Sequence, residues 1–242
     1  MELKLIHFYP DLMSLYGSYA NLLALRRSLE ALGNTVTVQS VCPGEEVDWT
    51  GADFLFMGAG TERAQKAALS DFSKYGEAIK LAAAQGVSML FAGTAMEMLG
   101  KSIVDADGNI WEGIGLASFT STQGNRRIVE DVLGTTALFD APIVGFINKC
   151  SIIKDVETPL LTALTLGYGN DAPLGPEGFR YENVIGSELT GPILMKNPRL
   201  LDTVVDAIYA HRGETAPADR PHDHWAEEGY TVTVRELQNR VK

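Results

Sequence analysis

Cysteine is almost missing from these 242 residues, with Cys42 and Cys150 the only two. Two thiols make no disulfide framework and have no zinc-ligand spacing, so the fold must rest on a hydrophobic core and a reducing compartment is expected. Positive charge is also in deficit. Lys and Arg number 20 against 31 Asp and Glu, a net charge of −11, which argues against nucleic acid and anionic membrane as partners. No apolar run is long enough to span a bilayer. The start, Met-Glu-Leu-Lys-Leu-Ile-His-Phe, lacks the charged head and apolar run of a signal peptide, and a cytoplasmic location is expected.

What is present is a hydrophobic content of 45%, ordinary for a soluble globule, and enough length for one large α/β domain with a tail. Leu3 to Phe8 read as a strand stopped by Tyr9-Pro10-Asp11. Leu22, Leu25, Leu29 and Leu32 recur at helical spacing, and Gly33 supplies a stop. Thr35 to Ser40 and Phe54 to Met57 read as strands, the second running into Gly58-Ala59-Gly60; an alanine-rich helical region, Arg63 to Gln85, follows and breaks near Ser70-Asp71 or Gly76. This rhythm predicts a mostly parallel sheet covered on both faces.

The pattern centres on Val87 to Gly100. Val87–Phe91 reads as a buried strand and Ala95–Leu99 as the first turns of a helix, leaving Gly93-Thr94 as a sharp elbow. Many hydrolases carry a nucleophile at such a turn, next to backbone N–H donors. Here the apex is glycine, which relieves the strain and offers no nucleophile. Past the elbow, Asp107-Gly108 signals a hairpin, and strands are predicted at 116–122, 127–132, 143–148, 160–166 and 179–185. Asn197-Pro198 starts a helix with Leu201, Val204, Val205 and Ile208 as its buried stripe. Residues 1–212 are expected to form one domain and 213–242 a linker and tail, with Tyr230–Val234 as a small strand and Arg235–Val241 as a helix.

Other candidate sites carry less. Gly58-Ala59-Gly60 falls short of a phosphate-binding signature. His222-Asp-His224 offers two ligands in an acidic tail, where solvated side chains are the commoner outcome, and no metal is expected. Arg126-Arg127 reads as a surface pair or an anion contact. Cys150 follows Lys149, which can lower a thiol pKa, yet His7, His211, His222 and His224 all lie outside this region. It is expected to pack rather than react.

Taken together, Tyr9-Pro-Asp-Leu-Met-Ser-Leu-Tyr-Gly17, Phe54 to Gly60, Glu97-Met-Leu-Gly-Lys101, Glu112-Gly-Ile-Gly-Leu116, Val144-Gly-Phe-Ile-Asn148, Gly167-Tyr-Gly-Asn170, Tyr181-Glu-Asn-Val184 and Gly191-Pro-Ile-Leu-Met-Lys-Asn-Pro198 resemble class I glutamine amidotransferases of the CobB/CobQ type. Within that family they are similar to the glutaminase subunits of lipid II isoglutaminyl synthases, which work with a Mur-ligase-like, MurT-type subunit. The resemblance covers roughly residues 3 to 211 and implies a three-layer α/β/α, flavodoxin-like fold without a cofactor.

The departures fall on the chemistry. The family's Cys-Gly-Gly-Tyr-Gln elbow is Gly93-Thr94-Ala95-Met96-Glu97, so the nucleophile position is Gly93; its Leu-His-Gly-Pro stretch is Leu189-Thr190-Gly191-Pro192, so the base position is Thr190. Glu-Asn-His-Ser becomes Ile147-Asn148-Lys149-Cys150, the Gly-Gly-Gly turn becomes Gly58-Ala59-Gly60, and Arg127 matches an arginine that lines the family's site. The resemblance thus places Gly58, Ala59, Gly60, Thr94, Arg127, Asn148 and Cys150 around a substrate pocket without its catalytic pair. Glutamine amide attack needs a thiolate and a base, and threonine titrates too high to replace imidazole. The expected function is that of a non-catalytic subunit binding a Mur-ligase-like partner. The alternatives are an active glutaminase subunit and a sensor that holds glutamine or another small ligand in the vestigial pocket, whose lost volume is expected to be filled by neighbours such as Met96 or by water or ligand.

Overall fold

The computed structural model describes residues 1–221 and 223–241. In chain order, β1 (Glu2–Phe8), a 3-10 turn at Leu15–Gly17, α1 (Ala20–Ala31), β2 (Thr35–Val41), β3 (Ala52–Met57), α2 (Glu62–Phe72), α3 (Gly76–Ala84) and β4 (Ser88–Ala92) lead to the elbow. Beyond it come β5 (Ser102–Val104), β6 (Ile110–Glu112), β7 (Thr120–Thr135), β8 (Ile143–Lys154), β9 (Ala163–Leu166), β10 (Phe179–Tyr181) and β11 (Val184–Ser187). Three helices follow: α4 (Ile193–Lys196), α5 (Pro198–His211) and α6 (His224–Gln238).

The central sheet has the order β10-β11-β4-β3-β1-β2, and every neighbouring pair is parallel except β10 with β11. Alternation along the strands sorts the core into two faces. Leu3, Leu5, Phe54, Phe56 and Leu90 pack with Leu25 and Leu29 of α1 and Val204, Val205 and Ile208 of α5. Ile6, Phe8, Leu55, Met57, Met89 and Phe91 pack with Ala68, Leu69 and Phe72 of α2 and Ile79 of α3. The result is the expected three layers, in which each fully buried Leu or Phe contributes about 1.5–3 kcal/mol. The end of α5 is anchored to the sheet, because the Arg212 guanidinium pairs with the wholly buried Asp53.

A second sheet, β6-β5-β7-β8 with β9 beside β7, stands next to the elbow. The Asp107-Gly108 hairpin joins β5 to β6 as expected. Pairing of β7 with β8 breaks between Gln123↔Ser151 and Ile128↔Lys149, so residues 124–127 bulge out opposite Cys150. Such a bulge re-aims a side chain, and here it presents Arg127.

Several local expectations change. Gly93–Leu99 is a wholly buried 3-10 helix rather than the start of an α-helix, an unusually long run for that tighter winding of about three residues per turn. Residues 179–185 divide into the antiparallel pair β10 and β11 around Glu182, which takes φ 49°. The strands expected at 116–122 and 127–132 are one strand, β7, which begins only at Thr120, and the strand expected at 160–166 begins only at Ala163. Tyr230–Val234 is helical within α6, capped by Asp223, whose carboxylate accepts from Trp225 N and Ala226 N. His222, half of the His-Asp-His candidate, lies outside the described residues.

Candidate functional site

The site is built where three chain turns meet. Gly93 takes φ +60°, and a Cβ on it would stand 2.6 Å from the Ala59 Cβ and 3.6 Å from Thr190 Cγ2. The methyl of Ala59 therefore fills the space that a side chain at the apex would need. Met96, expected as the filler, instead packs under Gly186 on the far side of the turn. Gly58 faces away from the cleft, where a Cβ would run into Ser18 and Met13 O.

Thr94 fastens the elbow to the neighbouring turn. Its hydroxyl accepts from Gly60 N at 3.0 Å and donates to Gly60 O at 3.1 Å. Its carbonyl accepts from Gln65 Nε2 at 2.6 Å. Gln65 joins a buried network in which Lys66 Nζ reaches Gln65 Oε1 at 2.9 Å and Gln123 Oε1 at 2.5 Å, while Gln123 Nε2 reaches Glu97 Oε2 at 3.0 Å. Ser121 also donates to Glu97, yet burial still holds that carboxyl's pKa above the ordinary carboxylate range.

Thr190 is committed elsewhere. Its hydroxyl donates to Phe146 O at 3.0 Å, and its backbone N–H donates to the same carbonyl at 2.8 Å. Arg127 reaches over the cleft to Glu62 Oε1 at 2.6 Å and Asn148 Oδ1 at 3.1 Å, and Asn148 Nδ2 donates to Tyr16 OH at 2.8 Å. Together Ala59, Gly60, Gly93, Thr94, Arg127, Asn148 and Thr190 line a cleft of about 90 Å³ with Tyr16, Glu62 and Glu188. Cys150 lies outside it, in adjoining grooves shared with Arg127. Its Sγ sits 3.4 Å from Glu62 Oε1, and burial followed by that carboxylate pushes the thiol up to about 12. The thiol stays protonated at neutral pH. None of His7, His211 and His224 lines the cleft.

Residues 4–198 match the CobB/CobQ-like glutamine amidotransferase domain. The chain belongs to that family. It is 31% identical over 213 residues to the GatD subunit of the glutamine-hydrolysing lipid II isoglutaminyl synthase of Staphylococcus aureus (strain N315), covering 88% of this chain and 86% of that one. It is 32% identical over 203 residues to the GatD subunit of Streptococcus pneumoniae (strain ATCC BAA-255 / R6), covering 82% and 77%. Among solved structures, a glutamine amidotransferase superposes with a TM-score of 0.53 at 16% identity, covering 84% of this chain and 98% of that one. A second, from Thermotoga maritima, gives 0.50 at 10% identity, covering 98% and 92%. These likenesses carry the fold.

Two residues that line the cleft, Glu62 and Glu188, carry no strong signal in the sequence. Glu62 stands one residue after the Thr61 cap of α2, where it reads as an ordinary first-turn acid. Glu188, two positions before Thr190, is 1% exposed. A carboxylate between Ser187 and Leu189 is the one signal that marked it, since charged residues are rarely buried in a strand end without a reason.

Proposed function

We propose that this member of the family is a GatD-like subunit without glutaminase activity, retained to bind a Mur-ligase-like, MurT-type partner in a cell-wall amidation complex. The observation that carries the reading is the Ala59 methyl seated where a nucleophile on residue 93 would begin. Amide hydrolysis through a covalent intermediate requires a nucleophile and a group to manage its proton. The cleft holds no thiol or imidazole among the described residues, and the hydroxyls of Thr94 and Thr190 are spent on Gly60 O and Phe146 O. Cys150 is neither at the elbow nor ionised.

Similarity to GatD over most of the chain favours the second reading, an active glutaminase subunit. The surviving cleft with Arg127 and Asn148 favours the third, a small-ligand sensor. Calorimetric titration with glutamine beside an ammonia-release assay separates them. The expected result is neither heat nor ammonia, with a Mur-ligase-like protein recovered when the tagged chain is isolated from its native cell. Heat without ammonia supports the sensor. Ammonia release overturns the proposal, and its loss in Cys150→Ser would show that the thiol had taken over the chemistry.

A further inference from the structure

Glu188 is 1% exposed and lines the cleft, and its Oε1 accepts no hydrogen bond from any described residue. The other buried carboxylates around it are answered. Glu97 takes Ser121 and Gln123, and Glu177 takes the Ser187 hydroxyl at 3.0 Å and Glu188 N at 2.7 Å. Lys149, the cation whose charge opposes Glu188's raised pKa, spends its ammonium on Gly169 O and Asn170 O at 2.8 and 3.0 Å. At the mouth, Arg127 and Glu62 cancel each other. With all five ionised, the buried set of Glu97, Glu177 and Glu188 against Lys66 and Lys149 would be one negative charge over. A buried charge of that kind must be neutralised by a proton or a cation.

We propose that the cleft beneath Gly93 binds a small cationic nitrogen, ammonium or the ammonium end of a primary amine, with the Glu188 carboxylate as its counter-charge. Size favours this occupant, since about 90 Å³ lies well below the roughly 300–1,000 Å³ of drug-sized ligand sites. Geometry favours N–H donors. Thr190 gives its only hydroxyl proton to Phe146 O, which leaves its Oγ1 lone pairs to accept. A divalent metal is disfavoured, because no group of three His, Cys, Asp or Glu able to hold one occurs among the described residues.

Burial, then the Glu97 carboxylate, holds the Glu188 proton on well above the ordinary range, opposed by Lys149 and reinforced by Glu177 and Glu62. Binding of the cation must expel that proton, so affinity should rise with pH, approaching about tenfold per unit while Glu188 is mostly protonated. The inference goes beyond the proposed function: ammonia release from glutamine would overturn that reading and leave this test standing.

The test compares ammonium chloride with sodium, potassium and tetramethylammonium chlorides at equal ionic strength on the full chain. Thermal unfolding is read at pH 6.5 and 7.5, beside NMR of added ¹⁵N-ammonium. Ammonium alone should raise Tm by about 2–4 °C, more at the higher pH, and Glu188→Gln should abolish the rise. A matching response to methylammonium assigns the site to primary amines, and none assigns it to free ammonium. Equal Tm in all four salts, or a rise that survives in Glu188→Gln, overturns the proposal. The salt comparison on the unaltered chain decides even where the variant does not fold.

Discussion

Ala59 places its Cβ 2.6 Å from where a Cβ on residue 93 would stand, and two carbons repel inside about 3.5 Å. Residue 93 also takes φ +60°, a conformation that costs a non-glycine residue about 1–3 kcal/mol. Gly93→Ala should therefore destabilise the chain by about 2–5 kcal/mol once overpacking is included. Ala59→Gly in the same chain should recover part of that loss, giving a coupling of about 1–2 kcal/mol in a urea-unfolding double-mutant cycle. Strictly additive effects would show that the two positions do not compete for one volume. The same clash means that Gly93→Cys with Thr190→His needs Ala59→Gly to fold well. Even so it should stay nearly inactive, because Met96 and Ile147 are wholly buried and Lys149 is engaged with backbone carbonyls. Glycine at 93 was legible from the chain; its reciprocal fit with Ala59 was not, since no local pattern links the two turns.

At the scale of elements, the apolar runs of β3 and β4 were readable because strands buried on both faces carry no alternation to confuse. The last helix was not. Thr231-Val-Thr-Val234 has the β-branched composition of a strand, but propensity is a weak prior that capping and packing override. Asp223 caps α6, and Tyr230, Val234 and Leu237 line one face against Leu133, Val144 and Leu166 of the second sheet. Tyr230 also donates to Pro142 O at 2.7 Å, and Arg240 pairs with Asp131. Leu237→Ala should cost about 2 kcal/mol, measured by denaturant unfolding. A change under about 0.5 kcal/mol, the range of ordinary surface substitutions, would mean that α6 is not held on the sheet in solution.

The whole molecule carries a pH dependence set by burial. His7 is 6% exposed in β1, and desolvation lowers its pKa from 6.5 to about 4. The folded state keeps the ring neutral while the unfolded chain protonates it. Its share of stability is complete above pH 6.5 and is lost as pH falls towards 4, on the order of 3 kcal/mol. Burial pushes Glu177 the other way, up to about 7 from 4.5, so its share is complete below 4.5 and lost as pH rises through 7. Unfolding midpoints taken from pH 4 to 8 should show the His7→Phe variant gaining on the parent as pH falls, and Glu177→Gln gaining as pH rises. Parallel curves for parent and variants would refute both assignments.

The order of the strands and helices of the central sheet, the apolar faces that make three layers, and glycine at 93 with threonine at 190 all follow from the sequence. Each is a local property, fixed by residue type and period within a few turns of chain. Tertiary structure alone decided that Ala59 closes over Gly93, that the bulge opposite Cys150 carries Arg127 to Glu62, and that Glu188 is left with an oxygen that no described residue answers. Those facts depend on which distant segments are pressed together and how far water is excluded between them, and volume and desolvation belong to the packed chain rather than to any stretch of it.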